Sequence, residues 1–95
     1  MKKTNLKYVV VRTYSAGVHI GELAVRKGKE VTLHNARRLW SWSGALSLSE
    51  VSQNGISGGK VSCPVPSIDL TEAIEIIPCS EVAEAALRAF PVWQQ

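Results

Sequence analysis

From Tyr8 to Tyr14 the chain reads Tyr-Val-Val-Val-Arg-Thr-Tyr. β-branched and aromatic residues occupy both faces of its first half, which predicts a strand buried on both sides. Ser15-Ala16-Gly17 supplies small turn residues, and alternation resumes from Val18 to Arg26. There Val18 and Ile20 point one way and Leu23 and Val25 the other, so a bulge is expected at Gly21, where glycine tolerates a positive φ. Arg26-Lys27-Gly28-Lys29 closes a hairpin. A third strand begins at Glu30 with Val31 and Leu33 facing inward. Its pattern restarts after Asn35-Ala36, so that Arg38, Trp40 and Trp42 share one face and Arg37, Leu39 and Ser41 the other.

Ser43-Gly44 ends that run, and Ser47-Leu48-Ser49-Glu50 is a capping box that opens a short helix to about Asn54, stopped by Gly55. Gly58-Gly59-Lys60 reads as a mobile loop able to close over a ligand. Pro64 and Pro66 place Val61 to Ser67 on an edge or in an extended connector, because neither proline can donate to a ladder. Ile68 to Ile77 reads as the last strand, with Leu70, Ile74 and Ile76 opposite Thr71, Ala73 and Glu75, and Pro78 stops it. Ser80 caps a closing helix through Ala89, with Glu81 and Glu84 near its start and Arg88 near its end. The expectation is an α+β, β-rich fold: a small antiparallel sheet or partly open barrel of four to five strands with two short helices. Residues 1–95 form one small domain with tails at 1–6 and 91–95.

Length and charge modify that picture. A domain of 95 residues has a thin core, and self-association into a homo-oligomer would cover its edges and apolar patches. Residues 1–48 carry nine Lys/Arg against two Glu, and residues 49–95 two against six Asp/Glu, so the halves are near +7 and −4. That polarity suits a basic ligand surface on the first half, or a basic face of one subunit meeting an acidic face of another. Two cysteines, Cys63 and Cys79, make no disulfide framework and read as half-buried thiols of a reducing compartment. No segment has the apolar length of a membrane span, and nothing reads as a signal peptide.

The candidate chemistry lies between Asn35 and Gly44. Arg37 and Arg38 offer guanidinium forks for phosphate oxygens, and Trp40 and Trp42 offer stacking faces for a base. The same tryptophans also fit one buried face of a strand, with the arginines at the sheet edge. Ser15, Ala16 and Gly17 form a tight turn whose N–H groups could make an anion nest beside Arg12, and His19 joins that set. An enzyme is not expected. His19, His34, Cys63 and Cys79 lack the spacing of a zinc site or of a nucleophile with its base, so neither metal nor cofactor is called for.

The series Tyr8-Val-Val-Val-Arg-Thr-Tyr-Ser-Ala-Gly-Val-His-Ile-Gly21, then Gly28-Lys-Glu-Val-Thr-Leu33, then Asn35-Ala-Arg-Arg-Leu-Trp-Ser-Trp-Ser-Gly-Ala-Leu-Ser-Leu-Ser49 resembles a family of small uncharacterised proteins encoded by tailed bacteriophages and prophages. Glu72-Ala-Ile-Glu-Ile-Ile-Pro-Cys79 and Val92-Trp93 are similar as well. The resemblance implies a phage gene expressed in the bacterial host cytoplasm and a compact β-rich fold, with no catalytic residues to carry over. By analogy with small phage sponges, the expected function is a non-enzymatic oligomeric binder that sequesters a nucleotide or cyclic nucleotide and so antagonises host immune signalling. Two alternatives stand beside it. One is a nucleic-acid binder using the basic first half, with steeply salt-dependent affinity. The other is a structural or protein-interaction module anchored by Trp40, Trp42 and Trp93.

Overall fold

The computed structural model describes residues 6–15, 17–44 and 47–93. Ala16 of the expected anion nest and most of the two expected tails lie outside the described residues. Eight elements follow in order: β1 (Tyr8–Thr13), β2 (Val18–Lys27), β3 (Glu30–Ser43), α1 (Leu48–Asn54), β4 (Gly58–Val61), β5 (Val65–Leu70), β6 (Ala73–Pro78) and α2 (Glu81–Ala89). The fold is β-rich with two short helices, as the patterning predicts. The sheet has six strands rather than four to five, in the order β4-β3-β2-β1-β6 with β5 also paired to β3, and every pairing is antiparallel.

The long β3 sets the architecture. Along one edge it pairs β5 over residues 31–36 and then β4 over residues 39–43. β5 leads through Thr71 and Glu72 into β6, which pairs β1 on the far side of β2. Two residues can bridge that gap only if the sheet curls into a half-barrel, and Ala73 N–H donates to the Lys29 carbonyl at the crossing (3.1 Å). The strand expected from Ile68 to Ile77 is therefore two strands with different partners. Opposite Arg12 and Thr13 of β1, β6 carries an extra residue, Ile74, which bulges outward while Ala73 and Ile76 turn in.

Both faces of β1 are buried. Tyr8 and Val10 join Ile20, Leu39, Val51, Val61 and Leu87 beneath the helices, whereas Val9 and Val11 join Val31, Leu33, Ala36, Leu70 and Ala73 inside the curl. The helices start where the sequence places them: the Ser47 hydroxyl accepts from Glu50 N–H (3.4 Å) and the Ser80 hydroxyl from Ala83 N–H (3.1 Å).

Three bulges decide which way the site residues face. Between the pairs Ile20↔Arg37 and Glu22↔His34, β2 contributes one residue and β3 two, so the bulge expected in β2 belongs to β3. The left-handed residue is Asn35 (φ 52°). Gly21 is needed for a different reason, since a Cβ there would lie 3.1 Å from Ala36 Cα and from the His34 carbonyl oxygen. A second bulge places the extra residue of β2 at Ala24. The third places Trp40 between Leu39↔Val61 and Ser41↔Lys60. It reverses the alternation, so Trp42 packs with Leu39 against the helix-side core instead of sharing the face of Arg38.

Gly58-Gly59-Lys60 is not a mobile loop but the edge strand β4. Gly59 pairs Trp42 with φ 147°, and a Cβ there would fall on the Ser41 carbonyl oxygen. Gly59→Ala should destabilise the protein by roughly 2–3 kcal/mol, the cost of forcing an L-residue into that backbone region against a carbonyl. Urea unfolding followed by tryptophan fluorescence measures it, and an unchanged midpoint would contradict the pairing.

Candidate functional site

Where β3 exchanges β5 for β4, the link Ser62-Cys63-Pro64 passes its edge and leaves a hollow of about 270 Å³. The link is pinned from both sides: Arg38 N–H donates to the Ser62 hydroxyl (2.7 Å) and Ser62 N–H to the Arg38 carbonyl (2.9 Å). Ser62 Oγ in turn donates to the Cys63 carbonyl (3.1 Å). Ala36, Val65 and Ile68 supply apolar wall, and Cys63 is exposed rather than half-buried as expected. Cys79 is half-buried against the helix-side core, where burial first and Glu84 second push its thiol up to about 12.

Arg38 and His19 form the polar side. They are direct cross-strand partners on β3 and β2, and Val11 continues the row on β1. Arg38 Nε–H donates to His19 Nε2 (3.3 Å). His19 is 1% exposed, and its Nδ1 has no hydrogen-bond partner among the described residues. Burial, followed by the neighbouring Arg38 charge, lowers its pKa from 6.5 to about 4, so the ring is neutral near pH 7. None of the ion pairs among the described residues involves Arg38.

Arg37 is among the residues lining the hollow, but its guanidinium is engaged elsewhere. Its side chain turns to the helix face and the residue is 3% exposed. Nε donates to the Ser62 carbonyl (2.8 Å) and Nη1 to the Leu87 carbonyl (2.8 Å) and the Arg88 carbonyl (3.4 Å), closing the last turn of α2. The expected pair of arginines is thus divided between the two faces of one strand, as alternation demands of adjacent residues.

The tryptophans divide too. Trp40 is 53% exposed and meets Trp93 edge-on at 5.8 Å and 74°, and Lys60 Nζ sits 4.7 Å from the Trp93 ring centre. The turn residues form a separate group. Arg12 pairs with Glu75 (3.7 Å), the Ser15 hydroxyl donates to Glu72 Oε1 (2.6 Å), and the Gly17 carbonyl accepts from Thr13. None of the three lines the hollow. An anion at that turn would meet the Glu72 and Glu75 carboxylates, which argues against the nest there. His34 is exposed, and no three His, Cys, Asp or Glu side chains among the described residues gather as a metal set.

Of the residues the sequence singles out, His19, Arg37 and Arg38 line the hollow and Trp40 does not; Ala36, Ser62, Cys63, Val65 and Ile68 line it without having been singled out. The one available signal is the proline pair at 64 and 66, which marks an edge segment free to stand off from the sheet.

The sequence model described as "Domain of unknown function (DUF6948)" matches residues 6–87. The chain belongs to the DUF6948 family. The DUF6948 match takes in all six strands and every residue lining the hollow, and leaves Trp93 outside. No curated protein and no solved structure matches the chain. Among the described residues no helix is long and apolar enough to cross a membrane.

Proposed function

We propose that this DUF6948 chain is a non-catalytic binder of a small phosphate-bearing ligand of nucleotide type, with Arg38 as the anion anchor and Trp40 as the stacking surface. The observation that carries the reading is a guanidinium with no carboxylate partner among the described residues, at the side of an apolar-walled hollow. Its fork suits phosphate oxygens, and Arg38 is exposed, so the guanidinium is open to an incoming anion. Trp40 lies two residues along β3 from Arg38, outside the lining of the hollow, and its exposed ring is the stacking face this reading uses. Self-association belongs to the reading, because β6 is an edge strand with Ile74 exposed and Val82 stands exposed on α2. The resemblance to phage-borne proteins supplies the biological use: a stoichiometric sink for a nucleotide signal of the bacterial host, acting by retention rather than turnover.

Calorimetric titration with cyclic and linear mono- and dinucleotides tests this. Arg38→Ala should weaken a bound nucleotide about 10- to 100-fold, the range for losing charge-assisted hydrogen bonds. Trp40→Leu should weaken nucleotides while sparing inorganic phosphate, since only the base stacks. Silence across the panel at millimolar concentration, or undiminished affinity in Arg38→Ala, would refute the site.

A further inference from the structure

Arginine nitrogens only donate, so the hydrogen bond from Arg38 Nε to His19 Nε2 fixes Nε2 as the acceptor. A neutral imidazole carries one N–H, which must then be on Nδ1. That atom is buried and unpartnered, in a side chain lining the hollow, and native structures seldom leave a buried donor unmet. The other polar groups narrow the choice. The Ser62 hydroxyl already accepts from Arg38 and donates to Cys63. Among the described residues no carboxylate lines the hollow, and the Cys63 thiol adds only a weak donor and a weak acceptor. The strong groups left to offer a ligand, Arg38 and His19 Nδ1–H, are donors.

We propose that His19 Nδ1–H, which lies just beneath the wall of the hollow, becomes a second recognition donor when a ligand shifts the ring or its cover, so that the hollow takes an oxyanion headgroup, a phosphate, held from two strands by Arg38 and His19. This rests on the binding function assigned above and deepens it. A headgroup carrying its own N–H donors, such as an amine or an amide, would set donor against donor. The pocket therefore discriminates by hydrogen-bond polarity as well as by charge.

The test is long-range proton–nitrogen NMR of the ¹⁵N-labelled full chain, titrated with inorganic phosphate and with adenosine 5′-monophosphate. In the ligand-free protein Nδ1 should be protonated and Nε2 bare, and phosphate should move the Nδ1–H resonance. His19→Asn, which keeps a donor near the Nδ1 position, should hold phosphate within about threefold of wild type, whereas His19→Phe should lose about tenfold, as for one hydrogen bond to a charged group. A proton found on Nε2, or an Nδ1 resonance that stays still while calorimetry shows Arg38-dependent binding, overturns the role of His19 and leaves the Arg38 site standing. Movement of Nδ1 by phosphate with no adenosine monophosphate binding keeps the oxyanion site and removes the nucleotide. No response to either probe overturns both.

Discussion

Replacing Arg37 with methionine should cost about 3–4 kcal/mol, because two short hydrogen bonds from a buried guanidinium are lost and their carbonyls stay out of water. Those carbonyls, of Ser62 and Leu87, belong to the segment beside the hollow and to the last turn of α2. Few residues tie so much together. A domain of this size has only about 5–10 kcal/mol of stability, and the loss would lower the melting temperature by on the order of 20 °C. Methionine fills much of the same volume, so the change reports missing donors more than a cavity. Arg37→Lys should fall between the two, since one ammonium cannot reproduce the fork. Urea denaturation checks the series, and a midpoint for Arg37→Met within about 0.5 kcal/mol of wild type, the ordinary range of surface substitutions, would show the contacts to be unimportant.

The second large effect is acid sensitivity from His19. Its pKa is near 4 in the folded protein and about 6.5 in the unfolded chain. Above pH 6.5 neither state holds the extra proton and the full stability is present. As pH falls below 6.5 the unfolded chain takes up a proton that the native ring refuses, so stability drops until the native ring also titrates near pH 4. The loss attributable to this one residue is about 3 kcal/mol on the scale of 1.4 kcal/mol per unit. His19→Gln retains an acceptor for Arg38 but cannot titrate. Its unfolding free energy should therefore change less than that of wild type between pH 7 and pH 4, by about the same 3 kcal/mol. Parallel pH profiles for the two proteins would exclude this origin.

The local signals in the sequence carry far. The run of valines at 9–11 declares a two-sided strand, the serines at 47 and 80 place both helix starts, and the prolines at 64 and 66 mark an edge. What is not local is not visible. Leu70 and Ile76 look like one strand until β1 and β3 are known to lie on opposite sides of β2, and only that geometry makes Thr71-Glu72 a corner. Gly58-Gly59 looks flexible because the Ser41 carbonyl that requires the missing Cβ belongs to another strand. The site suffers from the same limit. Which of Arg37 and Arg38 sends its guanidinium to the helix face depends on the parity set at Asn35, and whether Trp42 follows Arg38 depends on the extra residue at Trp40. Ser62, Cys63, Val65 and Ile68 reach the hollow because β3 is long enough to receive two neighbours in series.

Pairing β1 with β6 also orders the protein's assembly in time. The β1–β2–β3 meander can form from neighbouring segments as they leave the ribosome, but β1 gains its second neighbour only after β6 has been made. Until then the valines of β1 present an unpaired, apolar margin to anything else in the cell. Closing the curl is therefore the slow and hazardous stage of biogenesis, and the segment at 8–11 is where a chaperone would be needed or a nascent aggregate would begin.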